Sequence, residues 1–118
     1  MTTAELLKKK CEPCEGKVKA FTKGDIAKYL KELPEWKALD DDRAICREFI
    51  TKNFMAAVDF INKVAQLAEQ EQHHPDVHLT GYRNLRIELS THAVKGLSEN
   101  DFILAAKINA LPIELKKG

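Results

Sequence analysis

The sequence predicts an α+β domain: an antiparallel sheet of about four strands with three helices packed on one face. Three observations carry that reading. Phe54, Ala57, Val58, Ile61, Val64, Ala65 and Ala68 recur at the three- and four-residue spacing of an amphipathic helix. Leu85, Ile87 and Leu89 alternate with Arg86, Glu88 and Ser90, the two-residue period of a half-buried strand. Two capping-box patterns, Thr22 with Asp25 and Ser98 with Asp101, open further helices.

Taken in order, residues 1–20 are lysine-rich, carry Pro13 and Gly16, and show no apolar periodicity, so they read as an extended arm laid on the domain. The domain proper is expected at residues 21–118. After Thr22, the residues Ile26, Tyr29, Leu30 and Leu33 keep helical spacing until Pro34 stops the run. Trp36 to Leu39, the acidic turn Asp40, Asp41 and Asp42, and Ala44 to Ile50 read as strand, turn, strand, with Ile45 and Phe49 on one side and Cys46, Glu48 and Ile50 on the other. The long helix is expected to run to about His73, because Pro75 disfavours a helical residue before it. Val77 and Leu79 lead to a turn at Gly81, the strand through Leu89 follows, Gly96 breaks the chain, and a last helix runs from Ser98 to about Leu111.

The chain has 118 residues, 44% hydrophobic and 31% charged, with 19 Lys+Arg against 18 Asp+Glu and a formal net charge of +1. A chain of this length buries roughly two-thirds of its unfolded surface and holds one core without staples. The balanced charge leaves no electrostatic footprint for nucleic acid and no polybasic membrane patch. The longest apolar runs, Phe54 to Val58 and Phe102 to Ala106, fall far short of the roughly 20 residues of a membrane helix. The three cysteines are an odd number with a single close pair, Cys11 and Cys14, which argues against a disulfide framework. A reducing cytoplasm is the expected compartment.

The four histidines, His73, His74, His78 and His92, fall within one short stretch. Glu69 and His73 stand four apart, on one face of the long helix as predicted, and His74 points elsewhere around the same end. His92 follows the strand LRIELST. If the long helix lies across the sheet, the helix end and the strand end form one pocket. Imidazoles titrate near neutrality, so such a pocket holds a proton donor and a proton acceptor at the same pH. Each histidine alone reads most simply as a cap or a surface ring; His73, His74 and His92 together read as acid–base machinery. A metal site competes, since His74 and His78 have i, i+4 spacing and Cys11-x-x-Cys14 offers two thiolates. Pro75 interrupts that spacing, and a single CxxC is a weak signal, so no metal is expected.

Glu69, His73-His74-Pro75, Tyr82, His92 and Asp101 stand at the spacing E-x3-HHP-x6-Y-x9-H-x8-D, which closely resembles the signature of the pterin-4a-carbinolamine dehydratases. CEPCEG, LPEW, REFITKNF, AVDFINKVAQLAEQEQHHP, LSTHAVKGLSENDF and AAKI are likewise similar to bacterial-type members, so the resemblance covers nearly the whole chain. It implies a 4a-hydroxytetrahydropterin substrate that loses water to give the quinonoid dihydropterin, with no metal, nucleotide or redox cofactor. It also implies His73, His74 and His92 as catalytic residues, with Glu69, Ser90, Thr91 and Asp101 on the substrate-binding side. Glu69 is expected to orient His73 or bind the pterin, and Asp101 is at least as much a cap residue. Tyr82 is expected to be a packing aromatic, and His78 stands where many relatives carry a tryptophan. The family's habit implies a homodimer or homotetramer. Two alternatives stay open: an interaction module that acts as dimerisation cofactor of a transcription factor, and a dehydratase-like protein acting on another pterin.

Overall fold

The computed structural model describes residues 2–11, 19–39 and 41–117. Cys14, Pro13, Gly16 and Asp40 lie outside them. The chain runs α1 (Thr3–Lys8), α2 (Lys23–Leu30), β1 (Lys37–Leu39), β2 (Ala44–Ile50), α3 (Phe54–Glu71), β3 (Asp76–Thr80), β4 (Asn84–Leu89), a single 3-10 turn (His92–Val94) and α4 (Glu99–Asn109). The four strands form one antiparallel sheet in the order β1-β2-β4-β3. The expected α+β class, with three long helices and a four-stranded antiparallel sheet, is the fold observed.

Register follows side-chain chemistry. Ile45 lies opposite Leu89, Arg47 opposite Ile87 and Phe49 opposite Leu85. A slip of one residue would turn all three apolar residues of β4 to the open face. Ile45, Phe49, Leu85, Ile87 and Leu89 pack with Phe60, Val64, Phe102, Leu104 and Ile108 in the core. The turn between β3 and β4 uses left-handed backbone at Gly81 (φ 51°) and Tyr82 (φ 57°), and a Cβ on Gly81 would stand 2.8 Å from the Asn84 side chain.

Three expectations need correction. Residues 3–8 are helical: Thr2 accepts a hydrogen bond from the Glu5 N–H to cap α1, and Leu6 is fully buried. Six residues are too short to display a period, although Thr2-x-x-Glu5 is a cap signature. The buried stripe of α3 is Ala57, Phe60, Val64 and Ala68, while Phe54 is half exposed and Ala65 exposed. Finally α3 ends at Glu71, because Gln72 adopts left-handed backbone (φ 53°, ψ 40°) and the N–H groups of Gln72 and His73 both close onto the Ala68 carbonyl.

Candidate active site

The left-handed Gln72 decides where the two adjacent imidazoles go. His73 turns inward and is buried, and its Nε2–H donates to Asp101 Oδ1 at 2.7 Å. His74 stays outside and its Nε2 meets Glu69 Oε2 at 2.5 Å. The expected pairing of Glu69 with His73 on one helical face is therefore replaced by Glu69 with His74, since the helix stops before either histidine.

Asp101 sits fully buried in the first turn of α4. Its Oδ2 accepts from the Ser98 N–H at 3.0 Å, the carboxylate half of the capping box, and from Thr91 Oγ1 at 2.8 Å. Thr91 spends its only hydroxyl proton on Asp101, so Ser98 Oγ donates to Thr91 Oγ1 across 2.8 Å. The result is a buried polar chain from the end of α3, through Asp101, to the end of β4. A buried network of this kind is stable when every member is satisfied, and no buried side-chain polar atom among the described residues lacks a partner.

Next to Thr91 the surface opens into a cleft of about 690 Å³ lined by Asp41, Arg43, Asp76, Glu88, Ser90, His92 and Lys95 among others. The backbone there is pinned by the Thr91 N–H donating to the Gly96 carbonyl at 2.7 Å, and Lys95 takes left-handed backbone (φ 53°) to close the loop. His92 is exposed on the 3-10 turn at this cleft. His74 opens instead onto a separate apolar groove of about 360 Å³ with Ile61, Val64, Ala68, Glu69, Pro75 and Val77. The structure thus brings His73, Thr91 and Asp101 into contact and sets Ser90 and His92 beside them. It turns Glu69 and His74 to the other side of Pro75.

Asp76, directly after His-His-Pro, also lines the cleft, and sequence reasoning passed over it. It stands opposite Glu88 in the β3–β4 pairing, and both residues line the cleft. His78 lies on β3, with Nε2 3.2 Å from Glu88 Oε2, and Arg86 pairs with the same carboxylate. His74 and His78 therefore sit on different elements and do not form the helical ligand pair that their spacing suggested. Tyr82 is exposed with the Arg83 guanidinium over its ring, 5.3 Å from the centroid, because the left-handed turn points it outward; the packing role expected for it is not what it does.

Behind His73, two residues back along the chain, Glu71 accepts from the Cys11 N–H at 2.8 Å and from Lys107 Nζ at 2.8 Å. Burial alone would raise the Glu71 carboxyl, but the hydrogen bonds from Lys107 and from the Cys11 backbone outweigh it and hold the group below the usual carboxylate range. Burial, with the Glu71 carboxylate beside it, pushes the Cys11 thiol up to about 12, which favours the neutral thiol. Among the described residues no three His, Cys, Asp or Glu side chains converge to hold a metal ion.

The structure is a small α+β domain with a buried His73–Asp101 pair behind a polar cleft and His92 exposed at that cleft. The chain belongs to the pterin 4 alpha carbinolamine dehydratase family, whose model matches residues 19–111. It is 45% identical over 114 residues to the mitochondrial pterin-4-alpha-carbinolamine dehydratase 2 of Arabidopsis thaliana, covering 94% of this chain and 61% of the plant protein. A protein of Halorhodospira halophila named for the same dehydratase is 44% identical over 106 residues, covering 90% of this chain and 96% of that one. Among solved structures, a transcriptional coactivator/pterin dehydratase from Brucella melitensis superposes with a TM-score of 0.73 at 33% identity, over 78% of this chain and 97% of that chain. The chain thus spans nearly all of the bacterial relatives and about three-fifths of the plant one.

Proposed function

We propose that this protein is a 4a-hydroxytetrahydrobiopterin dehydratase, which removes water from pterin-4a-carbinolamine by histidine acid–base catalysis in tetrahydropterin recycling. Membership of the family and the names of its relatives support the dehydration itself. The observation that carries the mechanism is the cleft of Ser90, Thr91 and His92, joined through Thr91 and Asp101 to His73. Its volume of about 690 Å³ lies in the range of small-molecule sites.

The chemistry is an elimination. The N5 lone pair expels the C4a hydroxyl as an acid protonates it, the C4a–O bond breaks, and the N5 proton passes to a base. The products are the quinonoid dihydropterin and water, and the step is redox-neutral, so it balances without a cofactor. His73, His74 and His92 are the acid and base candidates. Of the polar groups expected on the substrate side, Ser90 and Thr91 line the cleft, with Asp76 added to them, whereas Glu69 pairs with His74 away from it and Asp101 is buried behind Thr91.

The test is a coupled assay that follows the quinonoid product at a pH where uncatalysed dehydration is slow. His73→Ala, His74→Ala and His92→Ala are each expected to lower turnover by about 10²-fold or more. A triple variant as fast as the parent overturns the mechanism. The two cysteines described, Cys11 and Cys46, are free, which supports a cytoplasmic setting; no helix among the described residues is long and apolar enough to cross a membrane. We take residues 1–20 as an arm and 21–118 as the catalytic domain, assembled as a homodimer or homotetramer. A second reading, an interaction module that serves a transcription factor, is favoured by the name of the Brucella structure alone; a parent chain that does not accelerate dehydration would move weight toward it. Comparing carbinolamines with different side chains tests whether another pterin is the substrate.

A further inference from the structure

Asp101 holds His73 in one protonation geometry. The carboxylate is an acceptor on both oxygens, so the 2.7 Å contact with His73 requires the ring to carry its proton on Nε2. A neutral imidazole with Nε2–H has a lone pair on Nδ1. Nδ1 has no hydrogen-bond partner among the described residues, and among those residues no buried side-chain polar atom is without one. Nδ1 therefore lies on the edge through which this otherwise buried ring, 5% exposed, reaches solvent.

We infer that Asp101 is a positioning residue that fixes His73 as the Nε2–H tautomer and leaves Nδ1 facing outward as a proton acceptor. The inference rests on the dehydratase reading and gives Asp101 a task other than binding substrate or capping α4. Its second oxygen supplies the rigidity. Oδ2 is held by the Ser98 N–H and by Thr91 Oγ1, and Thr91 is held in turn by Ser98 Oγ, so the carboxylate cannot rotate without stranding three buried donors. Acid–base work needs this fixed orientation, since a ring presenting N–H where a lone pair is required cannot take a proton.

The same geometry singles out Asp101→Asn as the decisive variant. Ser98 N–H and Thr91 Oγ–H both require an acceptor at the Oδ2 position, so the amide oxygen takes that place and keeps the cap. The amide nitrogen then faces His73 Nε2 and donates to it. Nε2 must become the acceptor, the ring proton moves to Nδ1, and the outward atom changes from acceptor to donor.

The experiment reads the His73 tautomer from ring ¹⁵N shifts in the full chain, alongside kcat and KM for carbinolamine dehydration. In the unmodified protein at a pH where the ring is neutral, Nδ1 is expected to be the unprotonated nitrogen. In Asp101→Asn the assignment is expected to swap, with kcat lowered by about 10²-fold or more and KM nearly unchanged. An unprotonated Nε2 in the unmodified protein overturns the inference, and so does a swapped tautomer with full kcat. Should Asp101→Asn fail to fold, the tautomer of the unmodified protein still decides. An unmodified chain that does not accelerate dehydration overturns the dehydratase reading and the catalytic part of this inference with it, whereas the tautomer is measured without turnover.

Discussion

Asp101 and Glu69 each hold a histidine, and their surroundings give the two pairs different energetic weight. Asp101 is fully buried and accepts from His73, Thr91 and the Ser98 N–H. Asp101→Ala leaves those three buried donors without their acceptor, which is expected to cost about 3 kcal/mol or more of stability. The Glu69–His74 pair is 76% and 63% exposed at its side chains, and exposed ion pairs contribute about 0–1 kcal/mol. Glu69→Ala is therefore expected to move stability by less than about 0.5 kcal/mol. Urea denaturation midpoints separate the two, and equal losses would contradict the buried network. The sequence makes half of this network visible. Ser-x-x-Asp at 98 and 101 announces a local capping bond, because a cap spans three residues. His73 lies 28 residues from Asp101, and no local pattern encodes that contact. The inward turn of His73 depends on one left-handed glutamine, a conformation that Gly or Asn signals and Gln does not.

At the scale of elements, the first residues of the chain act as a strap over α4 and the end of α3. Lys9 Nζ lies 3.1 Å from both oxygens of Glu99, Tyr29 donates to the same carboxylate at 2.7 Å, and the Cys11 N–H and Lys107 converge on Glu71. Glu71 adjoins Gln72 and His73, so the strap braces the turn that orients the histidines. Because its hydrogen bonds hold Glu71 below the usual carboxylate range in the folded chain, ionised Glu71 stabilises the fold. That contribution is complete above the unfolded carboxylate range and is lost as pH falls through the depressed folded value. Glu71→Gln, which cannot ionise, is expected to lose less stability than the parent between pH 7 and pH 3, although it is the less stable of the two at pH 7. Urea titrations at the two pH values measure the difference, and parallel losses would show that the pair carries no linkage. Elements with long periods or two caps were legible: β2 begins and ends where alternation in Ala44–Ile50 places it, and α4 starts at its capping box. The α3 stripe is ambiguous in the sequence because alanines at 56, 57, 65 and 68 satisfy more than one helical face, and Phe60 fixes which is buried.

At the scale of the whole molecule, four of the exposed large apolar residues, Ile50, Phe54, Met55 and Leu115, lie on the segments where the C-terminal tail meets the end of β2 and the start of α3. Thr51 bridges Leu115, the Lys116 N–H donates to the Ile50 carbonyl, and the Lys52 N–H donates to Glu114. This sets Leu115 against the end of β2 at Ile50, and Phe54 and Met55 open α3 a few residues on; the four are 44%, 52%, 50% and 62% exposed. Large apolar side chains grouped this way on a small domain mark a surface that associates, in keeping with the proposed homo-oligomer. Full burial of a Phe or Met side chain is worth about 1.5–3 kcal/mol. Because these side chains are already about half buried in the single chain, Phe54→Glu combined with Met55→Glu removes roughly 1.7–3.4 kcal/mol per chain, before the added cost of burying charge. At about 1.4 kcal/mol per tenfold, association weakens by roughly 10-fold to 300-fold. Light scattering is expected to give a multiple of 13.4 kDa for the parent and the single-chain mass for the double variant, with circular dichroism unchanged. A parent that scatters as one chain would contradict the oligomer. His73, Asp101, Thr91 and the cleft beside His92 are all supplied by one chain and lie away from these residues in sequence and contact. If the monomeric variant keeps its kcat, the acid–base set is complete within a single chain; if kcat falls with the mass, a neighbouring subunit closes the cleft.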